Sequence, residues 1–362
     1  MRTDKYVGLD VDKSTIVAVV QNCEGRNLIK TVIEMEGVTV REFIESLSGK
    51  IRVTFEEGTQ ATWLHDLIYP LVEEVIVCNP RKNKLIQTGN KGDEIDAEKL
   101  ARLLRLGELV SVYHGENSAR GLKELVHGYN NLVSDTTRVM SRIKAMYRGR
   151  GIKCSGHGIY RKGERKEWEG KLGEEAARKR AELLFKQLDN DQELRKEARK
   201  AMLKEATKQP GYKILIEING LGPIRSAIII GIVGTPHRFR TKRQFWPYCG
   251  LGVVTKSSAD HEIVNGQIRR KKRPAMTRGL NRDYSRQLKY VFKCAAIDAI
   301  KTEPFKSINE EMIKKGIRPE MARLTIARKI SAIALRLWKK GESFNAEKIG
   351  KATLAAEVNA GA

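Results

Sequence analysis

The chain has few cysteines and no long apolar run, and each shortage excludes a class of protein. Five cysteines are scattered over 362 residues, and no two of them form a Cys-x-x-Cys pair. This pattern argues against a disulfide framework or a zinc ribbon and suits a reducing compartment. The longest apolar stretch, residues 226–234, is far shorter than the ~20 residues that a membrane-spanning helix needs.

The first residues also lack the features of a secretory leader. Met1–Lys5 is short and polar and runs directly into an apolar segment. No signal peptide is therefore expected. Together with the cysteine pattern, this predicts a cytoplasmic protein without a membrane partner.

The charge of the chain is strongly one-sided. Lysine and arginine total 68 against 44 acidic residues, a formal net charge of +24. The basic residues are clustered: residues 138–166 hold ten against one acid, and residues 269–289 hold nine against one. Such clustering is typical of a protein that binds a polyanion, so a nucleic acid is the expected partner.

The chain is long enough for two or three domains. Residues 1–116 read as α/β, and three strands in a meander followed by alternating helix and strand predict an RNase H-like sheet. Residues 117–209 predict a helical coiled-coil region, and a solvated helical hairpin remains an alternative. Residues 210–345 predict a third, mostly helical domain, and residues 346–362 a flexible tail.

Four carboxylates in the first hundred residues stand where a metal site would need them. Asp10 and Glu56 each end an apolar strand, and Asp93 and Asp96 lie one turn apart on a predicted helix. In an RNase H-like sheet the first strand pairs with the later acid-bearing strand, which would bring Asp10 and Glu56 together. Oxygen ligands of this kind hold Mg²⁺, and two such ions can clamp a phosphoryl displacement.

Each acid also has an ordinary structural interpretation. An Asp at a strand end is commonly a turn or capping residue, and Asp93 could cap its own helix. Asp12 competes with Asp10, and Glu57 competes with Glu56. Because neighbouring strand residues face opposite sides of a sheet, only one of the two glutamates can face the pocket.

A second group of candidate residues lies in the C-terminal part. Ser257 and Ser258 precede a dense basic block, and these serines could simply contact phosphate. Alternatively, one serine could be the nucleophile on a phosphodiester, with arginines and a metal stabilising the developing charge. The basic residues expected to bind nucleic acid are Arg269, Arg270, Lys271, Lys272, Arg273 and Arg278.

Residues 218–223, Ile-Asn-Gly-Leu-Gly-Pro, form a turn before a predicted helix that begins near Ile224. The two glycines resemble the turn of a helix-hairpin-helix, in which backbone N–H groups approach a phosphate. An ordinary corner between two helices would look the same.

Together these motifs resemble the DEDD insertion-sequence transposases, the Piv/MooV-like recombinases, over roughly residues 5–345. The N-terminal motifs that carry the resemblance are Gly8–Lys13, Phe55–Thr59, Asn79-Pro80 and Lys91–Ala97. The C-terminal motifs are Ile218–Pro223, Gly250-Leu251, Ser257-Ser258 and the Gly266/Ile268 segment with its arginines.

The resemblance implies a RuvC-like N-terminal domain, a coiled coil and a C-terminal transposase domain. It also implies Mg²⁺ at Asp10, Glu56, Asp93 and Asp96, and a serine that links covalently to DNA. Ser258 matches that serine best, although Ala259 follows it where many members have glycine, which leaves Ser257 as a fallback. The resemblance further implies a structured guide RNA and homodimers that assemble into a tetramer, with sites built from two chains.

The sequence therefore predicts a transposase or site-specific recombinase that cuts and rejoins the DNA of an insertion sequence. The alternative is a RuvC-like, metal-dependent endonuclease that hydrolyses branched DNA without a serine. A nucleic-acid-binding scaffold with degenerate acids is the third interpretation, and the presence of all four carboxylates argues against it.

Overall fold

The computed structural model describes residues 4–80, 92–114, 119–256, 261–264, 266–270 and 276–347. The chain forms two compact units, Met1–Glu116 and Asn117–Ala362. Among the described helices, none is long and apolar enough to cross a membrane. The predicted division of the second unit at residues 209/210, and the tail at 346–362, stay predictions.

The N-terminal unit is a five-stranded mixed sheet with three helices. Its strands are β1 (Asp4–Val11), β2 (Thr15–Gln21), β3 (Asn27–Glu34), β4 (Lys50–Glu56) and β5 (Glu74–Cys78). Its helices are α1 (Gly37–Ser46), α2 (Ala61–Ile68) and α3 (Asp93–Leu106). The strand order is β3-β2-β1-β4-β5, with β1, β2 and β3 antiparallel and β4 parallel to both neighbours. The α/β class is confirmed, and the mixed sheet is consistent with an RNase H-like DEDD domain.

Alternation along the strands gives the sheet two different faces. Val7 and Leu9 of β1, with Val53 and Phe55 of β4, are fully or almost fully buried in one cluster with the apolar sides of α1 and α2. The residues between them point to the other face, because successive strand side chains alternate. Helix α3 covers that second face and contacts β1, β2 and β4.

Helix α3 approaches the sheet very closely at Gly8. A Cβ atom at position 8 would overlap the Ala97 carbonyl oxygen and come within 2.5 Å of the Ala101 backbone nitrogen. Ala97 itself packs with Val17 and Val19 of β2. Small residues on both sides therefore allow two backbones to touch, and this contact sets the position of the helix over the strand.

The C-terminal unit is mostly helical. Its helices are α4 (Arg120–Arg148), α5 (Arg165–Gly170), α6 (Glu175–Ala206), α7 (Pro210–Ile216), α8 (Gly222–Val233), α9 (Lys242–Tyr248), α10 (Arg286–Ala299), α11 (Phe305–Lys314) and α12 (Pro319–Lys340). The long helices α4 and α6 pack along each other. One end of this pair encloses its own core, and the other end shares a large core with α8, α10 and α12.

Four short strands interrupt the helices of this unit, and the sequence analysis did not predict them. They are β6 (Val253–Lys256), β7 (His261–Val264), β8 (Gln267–Arg270) and β9 (Met276–Leu280). β6 pairs with β9, and β7 pairs with β8 as a separate hairpin. Part of the Arg-rich segment, Gln267–Arg270, is therefore one strand of a β-hairpin.

The contact at Gly8 leads to a stability prediction. Gly8→Ala should destabilise the N-terminal unit by about 1–3 kcal/mol, the usual cost of overpacking a tight site. The φ angle of Gly8 lies outside the left-handed region, so the penalty would come from space alone. Calorimetric unfolding of the full chain measures it. Gly37→Ala is the control, because its added methyl would meet Trp63 at an ordinary 3.6 Å. An equal free energy of unfolding for the two variants would contradict the close approach at Gly8.

Candidate active site

The sheet places Asp10 and Glu56 side by side. Leu9 of β1 and Phe55 of β4 are register partners on neighbouring parallel strands. The next residue along each strand therefore leaves the sheet at the same edge and on the same face. That face is the one covered by α3, since Leu9 and Phe55 are buried on the other.

The remaining two acids of the quartet lie in the first turn of α3. Asp93 begins the helix and is exposed, and Asp96 follows one turn later and is half-buried. The Nζ atom of Lys99 lies 3.2 Å from a carboxylate oxygen of Asp96. Carboxylates are favourable at a helix N-terminus because the unpaired N–H groups there carry partial positive charge.

Electrostatic coupling shows that the acids of the strands and of the helix are near one another. Partial burial raises the pKa of Asp10, and the charges of Asp93, Asp96 and Asp12 raise it further. Partial burial also raises the pKa of Glu56, followed by the charges of Asp10 and Asp96. The structure thus gathers like charges that repel one another.

Glu57 has a different environment from Glu56. Its Oε2 atom lies 2.5 Å from Nε2 of His114, and the His114 ring is 5.2 Å from the ring of His65. Glu56, by contrast, faces Asp10 and Asp96. The two glutamates therefore have different partners, although both line the cavity at this edge of the sheet, so alternation does not exclude either of them from it.

A cavity of about 240 Å³ opens at this edge of the sheet. It is lined by residues at the end of β1, at the end of β4 and at the start of α2, including Asp10, Asp12, Glu56 and Glu57. Among the described residues, no three His, Cys, Asp or Glu side chains converge closely enough to hold a metal ion. The donor chemistry nevertheless suits a hard cation, because carboxylate oxygens predominate and the acids repel one another.

The C-terminal candidates are only partly visible. Ser257, Ser258 and Lys271–Arg273 lie outside the described residues. Arg269 is exposed on β8, opposite Glu262 of β7. Arg270 and Arg278 lie in β8 and β9, and of these two only the backbone is described.

Two residues matter more than the sequence analysis recognised. Gly8 belongs to the Gly8–Lys13 motif and also permits the approach of α3. An isolated glycine inside an apolar strand is itself a signal for a close backbone contact. Asp12 competes with Asp10 in the sequence, and in the structure its charge adds to the repulsion at Asp10.

Two family models match the chain. A model of the DEDD transposases of IS110 type matches residues 7–149, and a model of the IS116/IS110/IS902 transposase family matches residues 212–306. Together they cover more than half of the chain, including all four acids. The chain belongs to the IS110 family of DEDD transposases. No curated protein is similar enough to give a match.

Membership of the IS110 family establishes the class of activity. IS110 transposases are enzymes that act on DNA in transposition, so the protein is a DNA transposase of an insertion sequence. The matched N-terminal model describes a DEDD transposase domain. Domains of this type typically need a metal ion for activity.

The repulsion among the acids predicts an unusual stability effect. Asp10→Asn should raise the melting temperature by a few degrees in metal-free buffer at neutral pH, because it removes a partly buried charge that faces other carboxylates. A carboxyl group whose pKa is raised by folding contributes stability below its unfolded pKa of about 3.9 and loses it as pH rises. The gain from Asp10→Asn should therefore shrink toward pH 4.

Thermal unfolding at several pH values measures this effect. Asp4→Asn, at the other end of β1, is the matched control and should leave the melting temperature unchanged. If Asp10→Asn lowers the melting temperature at neutral pH, the repulsion inferred for the acids is wrong.

Proposed function

We propose that this transposase cuts and rejoins DNA through a serine nucleophile, Ser258, with the aid of a metal site formed by Asp10, Glu56, Asp93 and Asp96. The observation that carries the proposal is that the pKa values of Asp10 and Glu56 are both raised, first by partial burial and then by neighbouring carboxylates, with Asp96 acting on both. Three separate chain segments bring these acids to one edge of one sheet. Such repulsion serves no purpose in folding and suits a site that binds cations.

The metal that fits this donor set is Mg²⁺. Four carboxylates can hold either one Mg²⁺ ion or two. When bound, Mg²⁺ would supply charge stabilisation to the oxygens of the phosphodiester undergoing transfer. The protein's own contribution is the placement of the ligands: the ends of β1 and β4 hold Asp10 and Glu56, and the first turn of α3 presents Asp93 and Asp96. Glu57, engaged with His114, is not assigned to the site.

The serine gives the reaction its reversibility. The Ser258 Oγ atom would form a bond to phosphorus while the bond from phosphorus to a deoxyribose oxygen breaks. The serine proton is lost to a base, and the departing oxygen takes up a proton to become a hydroxyl group. Because one phosphoester replaces another, the strand can be rejoined without a separate energy source.

The basic residues Arg269, Arg270, Lys271, Lys272, Arg273 and Arg278 are proposed to bind nucleic acid through its phosphates. Exposed Arg269 on a two-stranded hairpin supports this assignment. Contacts of this kind position the nucleic acid but do not read its sequence.

The proposal extends to a structured guide RNA and to a homodimer that assembles into a tetramer. Both come from the family resemblance, and the net charge of +24 supports a nucleic-acid partner. The alternative, a RuvC-like endonuclease that hydrolyses branched DNA, would use the same acids but no serine. A covalent link between protein and DNA separates the two.

The test is the detection of that link. The full-length protein is incubated with Mg²⁺, a plasmid that carries its gene with the flanking DNA, and RNA transcribed from that flanking DNA, and covalent adducts are resolved on a denaturing gel. The unaltered protein should form the adduct, and Ser258→Ala should form none while still binding DNA. Asp96→Asn should also form none, because it removes a ligand charge with almost no change in shape.

Matched controls make the result specific. Ser257→Ala and Glu57→Gln should each retain adduct formation. Loss of the adduct in Ser257→Ala but not in Ser258→Ala would assign the nucleophile to the other serine. Strand cleavage that never yields an adduct would favour the hydrolytic alternative.

A further inference from the structure

The C-terminal unit contains a cavity whose described lining includes none of the four acids. It measures about 410 Å³ and lies between α4, α6, α8 and α10. Its volume falls within the ~300–1,000 Å³ typical of small-ligand sites. Polar or aromatic residues contributed by these helices to the wall are Tyr129, Asn130, Arg199, Arg225, Gln287 and Tyr290.

One wall carries a hydrogen-bond donor with no partner. The side-chain nitrogen of Asn130 is shielded from solvent and has no hydrogen-bond partner among the described residues. Buried polar groups in folded proteins are nearly always paired, and each exception needs an explanation. An acceptor atom on a bound ligand would satisfy this amide.

The lining of the cavity also includes an exposed aromatic ring. Tyr290 of α10 is 72% exposed although it lines the cavity. An unpaired nucleic-acid base can stack on such a ring whatever its identity, because every base has a π-face.

The charges around the cavity favour an anion. Arg199 and Arg225 both line it, and none of its described lining residues is a carboxylate. Arg225 is held in place, since it donates to the Gly220 carbonyl oxygen at 2.5 Å and pairs with Asp298 at 2.7 Å. The first turn of α8 also borders the cavity at Gly222–Arg225, and the N–H groups of a helix N-terminus attract anions.

We propose that this cavity binds one unpaired nucleotide of the nucleic acid that the transposase handles. The base would stack on Tyr290 and accept a hydrogen bond from Asn130, and the phosphate would lie toward Arg199 and the first turn of α8. This inference rests only on a nucleic acid being the partner and is independent of the metal site and of Ser258.

The test compares single-stranded with double-stranded DNA. The full-length protein is titrated into a fluorescein-labelled 12-nucleotide single strand and into a blunt 12-base-pair duplex, and affinity is measured by fluorescence anisotropy. Tyr290→Leu should weaken binding to the single strand roughly tenfold, in the range measured for loss of one stacked base, and Asn130→Leu should weaken it by about three- to tenfold, the effect of one lost hydrogen bond. Binding to the duplex, which has no unpaired base, should change less than about twofold.

Tyr69→Leu is the matched control, because Tyr69 is a similarly exposed tyrosine (63%) that belongs to the N-terminal unit. This variant should leave the affinity for the single strand and for the duplex unchanged. Equal losses on both DNAs, or no loss on the single strand, would overturn the proposal. So would a change in oligomeric state of Tyr290→Leu by light scattering, because a second copy of the chain would then cover the cavity. Tyr290 lies at the surface, so this variant decides the outcome even if Asn130→Leu misfolds.

A second readout locates the nucleotide directly. The same single strand carrying 5-bromodeoxyuridine is irradiated with the unaltered protein, and the crosslinked peptide is identified by mass spectrometry. A crosslink in α10 at Tyr290 supports the assignment. Crosslinks confined to other segments contradict it.

Discussion

The architecture of the acidic site depends on one close contact between backbones. At Gly8 the strand β1 offers no side chain, so α3 can lie directly on it. This contact holds the first turn of α3, with Asp93 and Asp96, near the strand end that carries Asp10. With a side chain at position 8, the helix could not lie this close to β1, and Asp93 and Asp96 would move away from Asp10.

The same contact has an electrostatic cost. It brings like charges together, and their repulsion adds to the effect of partial burial, which is the larger cause of the raised pKa values of Asp10 and Glu56. Only part of this charge is offset by the ion pair of Asp96 with Lys99. Sites that violate a local rule of stability in this way are commonly functional, since proteins give up stability where activity requires it. The chain belongs to a family of DNA transposases. Activity on DNA is therefore a reason for keeping repelling carboxylates that lower the stability of the fold.

Much of the N-terminal unit could be predicted from the sequence. Along each of its strands, apolar and polar residues alternate or nearly all residues are apolar, and turn residues follow. This pattern is the strongest sequence signal for a sheet. In α3, Leu100, Leu103 and Leu104 recur at the spacing of a helix and are buried. Leu106 is 47% exposed, because it falls on the opposite side of the helix from Leu104.

The C-terminal unit was harder to predict for a physical reason. The strands β7 and β8 are four residues each, and their apolar residues Ile263 and Ile268 face solvent, each 76% exposed. Without a buried face, a strand leaves no hydrophobic pattern to detect. The cavity beside Asn130 and Tyr290 joins four helices that are distant in sequence, so no local pattern could indicate it.

The claim that the four acids form one metal site can be tested most directly by binding of Mn²⁺, a paramagnetic substitute for Mg²⁺. Free Mn²⁺ is measured by electron paramagnetic resonance as it is titrated into the full-length protein without DNA. The account predicts saturable binding by the unaltered protein, loss of that binding in Asp10→Asn and Asp96→Asn, and its retention in Glu57→Gln. Saturable binding of equal strength in all four proteins would contradict it.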